Sequence, residues 1–267
     1  MVLFLLFLTK EVTPRAMKKF ALILFALAAL VSSCDPQEPG PEMVNLEVRL
    51  QPVFGSDSNP LVFENASYPM GSDTVKFTRT DFILSEFALL DEQGNRVDIR
   101  NEYALVNLPA TDSWTLPTSI TPGTYSGFAF SIGLDSAINH GDPTIWSSKH
   151  PLNPAVNNLH WGWTGGYIFA AMEGYYQEGG VQKPWLYHIA LMENKMDVVV
   201  TAPLDLTDFK TLTLNLDLEA FFKAVNDLSP VEDGDFSHST FDNGLARKLS
   251  QNLSQSFRFA SLEDQTP

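Results

Sequence analysis

The chain has 267 residues, 44% of them hydrophobic and 18% charged, with a formal net charge of -15 at pH 7. That is globular composition, with room for one or two domains. So acidic a surface repels phosphate backbones and anionic headgroups, which excludes nucleic acid as a natural partner.

The N-terminal region reads as an export signal. Met17-Lys18-Lys19 is basic, and Phe20 to Val31 is an apolar run too short to span a bilayer comfortably but suited to a signal-peptide core. Ser32-Ser33-Cys34 follows, and Cys34 is the chain's one cysteine. Small residues before a lone Cys resemble a bacterial lipobox, in which that Cys is acylated and becomes the mature N-terminus; a plain signal peptide with a free or paired Cys is the alternative. Two acyl chains would anchor the protein stably. The expected location is therefore the bacterial cell envelope, on the periplasmic or outer-membrane face, with the membrane as a partner through Cys34. Val2 to Leu8 is a second apolar run, and Met17 is the cleaner start. The expected plan is a signal region over 1–33, a lipidated Cys and Pro-rich acidic tether over 34–44, and one folded domain over 45–267. With no second Cys, that domain relies on its core, which a chain of this size can supply.

Asn45 to Gln51 alternates Leu46, Val48 and Leu50 with polar residues and predicts a half-buried first strand. Thr74 to Thr78 predicts a short strand. Asp81 to Asp91, followed by a Gly94-Asn95 turn and the Val97, Ile99 alternation, predicts a hairpin. Tyr103 to Leu108 is a further strand, and Pro109 to Pro122, with three Pro, reads as a loop. Thr124 to Leu134 places Phe128, Phe130, Ile132 and Leu134 on one face. Gly127, Ala129, Ser131 and Gly133 fall on the other, the pattern of a central strand closely approached on its second face. Asp135 to Asn158 is long and irregular, and such loops are usually functional.

That loop delivers the chain into Leu159 to Phe169, Leu-His-Trp-Gly-Trp-Thr-Gly-Gly-Tyr-Ile-Phe. Read as an extended strand, it sets Trp161 and Trp163 on one side and His160 on the other, with a bulge or kink at Gly165-Gly166. A buried core strand accounts for two tryptophans equally well. Beyond a hairpin loop at Glu173 to Gly180, Trp185 to Met192 and Lys195 to Thr201 are strands. Thr211 to Leu218 is another, and Glu219 to Val225 is a short helix. A last helix carries Leu245, Leu249 and Leu253 at i, i+4 and i+8. Many short strands with little helix predict an all-β fold: a single antiparallel β-sandwich with short capping helices near the C-terminus.

His160 and His188 fall on two strands joined by a hairpin, and neighbouring strands can bring two imidazoles together. Two His and a third donor suit copper or zinc. A strand His is, however, more often a hydrogen-bonded core or rim residue. His140 and His150 lie in the long loop. His238, in a Ser/Asp-rich segment without apolar support, is left outside the candidate set. Asp81 with Glu86, and Asp233 with Asp235, look like solvated turn acids. There is no G-x-S-x-G elbow, P-loop, dinucleotide-binding glycine pattern or H-E-x-x-H motif, so an enzyme is not expected.

Residues 159–169 resemble the signature strand of the MbnP-like copper-binding family, whose pattern is roughly M-x-W-x-W-x-x-G-Y-x-F. His150-Pro-Leu-Asn-Pro154 is similar to its lead-in, and Gly123 to Asp135 to its upstream strand. Trp185-Leu-Tyr-His188 resembles its F-x-x-H element and Asp81 to Ser85 an early strand, so the likeness covers most of 46–257. It implies an exported, lipid-anchored β-sandwich linked to copper, in some members paired with a di-haem peroxidase-like protein that oxidises a Trp to kynurenine at the copper site. Carried onto this chain, His188 matches the F-x-x-H histidine, and Trp161 and Trp163 match the two tryptophans as lining or modified residues. His160 falls at a variable position. Leu159 stands where the pattern has Met, and Asn45 to Tyr68 contains no His to match the site's N-terminal ligand.

The expectation is a non-catalytic, extracytoplasmic metal-binding lipoprotein that binds or handles copper through His160 and His188. Two other classes stay open. One is a surface glycan-binding lipoprotein with Trp161, Trp163 and Tyr167 as a stacking platform; the other is a structural subunit of an envelope assembly.

Overall fold

The computed structural model describes residues 43–71, 73–162, 165–239 and 244–265. Cys34 and the expected signal and tether up to residue 42 lie outside the described residues, as does Trp163. Met43 to Pro267 belong to one compact unit.

Among the described residues, two sheets make up the fold. The smaller contains β1 (Val44–Phe54), β2 (Asn59–Pro60), β7 (Ser113–Ile120), β12 (Lys210–Asp217) and β14 (Phe257–Asp264). The larger contains β3 (Tyr68–Met70), β4 (Asp73–Leu90), β5 (Arg96–Asp98), β6 (Ala104–Leu108), β8 (Thr124–Ile132), β9 (Ile168–Glu178), β10 (Val181–Ala190), β11 (Met196–Asp205) and β13 (Phe236–Ser237). The all-β sandwich expected from the alternation is present. Its sheets are mixed rather than purely antiparallel: β1 runs parallel to β12, and β10 parallel to β13. Neither pair is joined by a hairpin, so no tight turn forces an antiparallel sense. The core closes where aromatic rings of the two sheets meet. Phe257 of β14 packs against Phe130 at 5.2 Å and Phe82 at 6.3 Å, and Trp114 of β7 against Phe87 at 5.8 Å. Rings of this size each stabilise the fold by about 1.5–3 kcal/mol when fully buried.

β4 is the spine of the larger sheet and pairs with β3, β5, β6, β8 and β9. The sequence predicts two strands here; the structure has one of 18 residues. It is bent rather than ended, with irregular register near Thr78 and again at Glu86, which adopts a left-handed φ of 51°. The expected loop over Pro109 to Pro122 also contains a strand, β7. It pairs along the edge of β1 not taken by β12, and an edge strand tolerates a proline because that side needs no ladder donor. β8 lies between β4 and β11 as a central strand, and its small-residue face is closely approached. A Cβ at Gly127 would stand 2.6 Å from the Val200 carbonyl oxygen.

The helices are short: Ser136–Asn139, Pro154–Asn157, Ala220–Lys223 and Leu245–Ser254. Among the described residues only the last exceeds a turn, and it buries Leu245, Leu249 and Leu253 as its spacing predicts. β9 and β10 form a hairpin whose turn is Gly179-Gly180, both at positive φ. Glu173-Gly174 therefore lies inside β9, not in the loop. Gly174 is required there because a Cβ would sit 1.9 Å from the Lys76 carbonyl oxygen of β4. Gly174→Ala is expected to force β4 and β9 apart and destabilise the fold by about 2 kcal/mol or more. A lowered urea midpoint would show it, and an unchanged midpoint would contradict the strand register.

Candidate metal centre

The outer face of the larger sheet carries an unusual polar cluster. On β10, Trp185, Tyr187 and Ile189 point into the core, so Leu186 and His188 point outward. Register across three strands aligns Asp81, Ala171 and His188 in one row and Arg79, Glu173 and Leu186 in the next. The Arg79 guanidinium donates from Nε to Asp81 Oδ2 at 2.5 Å and from Nη1 to Glu173 Oε1 at 2.7 Å. The same Glu173 oxygen accepts from His188 Nε2 at 3.0 Å. His188 Nδ1 and Asp81 Oδ1 are both buried with no hydrogen-bond partner among the described residues.

Burial sets much of the electrostatics. It holds the His188 imidazole below its ordinary pKa, and the Glu173 carboxylate opposes it only in part. Burial also pushes Glu173 up, but His188 and Arg79 outweigh it and leave that carboxyl below the usual range. For Asp81, 1% exposed, burial wins over Arg79 and the carboxyl lies above its ordinary value. Asp81 is thus no solvated turn acid.

A second imidazole covers this face. The parallel pairs Leu186–Phe236 and Tyr187–Ser237, carried one residue further, set His238 beside His188. The two rings are nearly parallel, 7° apart in plane and 5.0 Å between centroids. Ser239 clamps the segment: its hydroxyl donates to the His188 carbonyl at 2.9 Å and accepts from the Ala190 N–H at 2.8 Å. Trp161 completes the cluster, 5.4 Å from His238 and 6.4 Å from His188.

Trp161 arrives on a turn, not on the extended strand expected for residues 159–169. The Ile168 N–H donates to the Leu159 carbonyl and the Trp161 N–H to the Gly166 carbonyl, folding the segment back on itself. Gly162 at φ 88° and Gly166 at φ 67° permit the reversal, and continuous strand begins only at Ile168. His160 consequently meets Tyr167, edge to face at 4.5 Å, and its Nδ1 accepts from the Gly162 N–H at 2.9 Å. The expected His160–His188 pair is therefore replaced by His188 with His238. Tyr167 is fully buried, so Trp161 and Tyr167 do not make one exposed stacking platform.

The long loop before this turn supports it. Asn139 Oδ1 accepts from the Tyr167 N–H at 2.9 Å, and the Tyr167 hydroxyl donates to the Leu152 carbonyl at 2.7 Å. His150 stacks on Trp146 at 4.2 Å and accepts at Nδ1 from the Leu152 N–H.

His238, Glu173 and Arg79 were missed in the sequence. Glu173 and Arg79 sit in strands whose register decides their meeting. His238 is brought in by a parallel pairing 50 residues from its partner, which no local pattern announces. The available signal was Asp81 beside the apolar run Phe82-Ile83-Leu84, a position where a charge needs a partner.

The chain is thus a β-sandwich with two imidazoles and an indole gathered over a carboxylate on its outer face. The chain belongs to the MbnP family: the family model described as MbnP matches residues 43–239. Among solved structures, MbnP from Methylosinus trichosporium is similar over 68% of this chain and 78% of its own, at 20% identity and a TM-score of 0.48. No curated protein matches the sequence.

Burial lowers the His150 pKa from its ordinary 6.5. The folded state therefore favours the neutral ring, and its contribution to stability is present above that value and lost as pH falls below it. A pH series on the metal-free protein should show His150 titrating below 6.5 by NMR, with Trp146 fluorescence changing in step. A His150 midpoint at or above the ordinary value would contradict the packing.

Proposed function

We propose that this protein is a non-catalytic, lipid-anchored protein of the cell envelope that binds copper through His188 and His238 beneath Trp161. The observation that carries it is the bare Nδ1 of His188, a buried imidazole nitrogen without a partner on a ring whose other nitrogen is held by a carboxylate. Metal-bound histidines are commonly oriented by such a carboxylate. A metal also requires the neutral ring, which burial of His188 favours. His238, its ring stacked 5.0 Å from that of His188, is the second imidazole at hand.

Imidazole suits copper and zinc alike. The preference for copper rests on the family resemblance. Among the described residues no three His, Cys, Asp or Glu groups converge to hold a metal. Two imidazoles are then the donors that the described residues bring to the site. Trp161, in ring contact with both imidazoles, is the candidate for the oxidation to kynurenine that the resemblance implies, with a di-haem peroxidase-like protein as the partner. Copper is cargo in this proposal, and the protein holds it at the envelope through an acylated Cys34.

Protein purified without an affinity tag and passed through a desalting column after equimolar copper should retain the metal. His188→Ala and His238→Ala should each lose it while keeping their circular dichroism. Wild-type protein emerging metal-free would sink the proposal. Intact mass of the mature chain reports acylation and any oxygen added to an indole.

A further inference from the structure

We propose that Glu173 is the positioning residue of this centre: its carboxylate, pinned by Arg79, accepts a hydrogen bond from the Nε2–H of His188 and so presents Nδ1 as the ligating nitrogen. The inference rests on His188 being a ligand and names which of its two nitrogens binds and what selects it.

The argument is one of donors and acceptors. An ionised carboxylate only accepts, and a guanidinium only donates. Glu173 Oε1 receives Arg79 Nη1 at 2.7 Å and His188 Nε2 at 3.0 Å, so Nε2 must carry hydrogen. A neutral imidazole has one N–H and one lone pair. The lone pair is then on Nδ1, the atom left buried and unpartnered. Arg79 cannot swing away with Glu173, because its Nε is tied to Asp81 on its own strand. β4, β9 and β10 thus fix the guanidinium, the carboxylate and the ring in sequence, each through strand register.

A buried His–Glu pair with a purely structural role would orient the ring as well, so the test reads the tautomer and the metal separately. Long-range 1H–15N correlation spectra of the metal-free protein distinguish a protonated from a bare ring nitrogen. Wild-type His188 is expected as the Nε2–H tautomer. Glu173→Gln, whose amide can donate as well as accept, is expected to shift His188 toward Nδ1–H and to weaken copper binding about ten- to hundredfold. Arg79→Met should weaken binding in the same direction.

A wild-type ring protonated at Nδ1 would overturn the inference, as would a Glu173→Gln variant unchanged in both tautomer and affinity. Either result leaves the His188→Ala test standing. Conversely, failure of the wild-type protein to retain copper would remove the functional reading, while the tautomer shift in Glu173→Gln still decides whether Glu173 sets the ring.

Discussion

The outer face of the larger sheet depends on how one guanidinium is shared. Arg79 lies between Asp81 and Glu173, and Asp81 is almost fully enclosed. Leaving such a carboxylate without its cation costs on the order of 3–5 kcal/mol. An arginine suits the position because its fork engages two acceptors at once, which a lysine ammonium on a flexible stem does with less definition. Satisfying Asp81 also immobilises Glu173, and an immobilised Glu173 orients His188. One structural requirement of the sheet thereby fixes the imidazole above it.

Behind this face the sandwich supplies rigidity. β10 shows the division of labour most clearly. Trp185 and Tyr187 enter an aromatic cluster with Phe77, Phe221 and Phe222, and His188 between Tyr187 and Ile189 is held outward by that packing. The ring positions of Trp161 and His238 come from the loops, but neither loop is free. The Trp161 turn is tied to Asn139, against which a Cβ at Gly166 would clash at 2.8 Å. The His238 segment is clamped to β10 through Ser239. Loop side chains placed by a rigid sheet are a common construction for binding sites.

The fold was largely legible because its strands alternate. Leu46, Val48 and Leu50, or Phe128, Phe130 and Ile132, announce a buried face with a period of two. Where that signal failed, a physical cause can be named. β7 hid behind its prolines, which an edge position tolerates. β4 was cut in two because Glu86 interrupts the pattern without ending the strand. Residues 159–162 alternate as a strand does, yet Gly162 and Gly166 turn the chain instead, and His160 goes to Tyr167.

The sequence by itself determined the all-β character, the central place of β8, the last helix and the likeness to the MbnP family, and it drew attention to Trp161 and His188. Those properties are written in local periodicity and in short residue patterns. Only the tertiary structure decided that His238 rather than His160 accompanies His188, and that Arg79, Asp81 and Glu173 lie beneath them. These meetings are set by register between strands far apart in the chain, and in one case by a parallel pairing. A one-residue slip in any of those ladders would turn the same side chains to the opposite face.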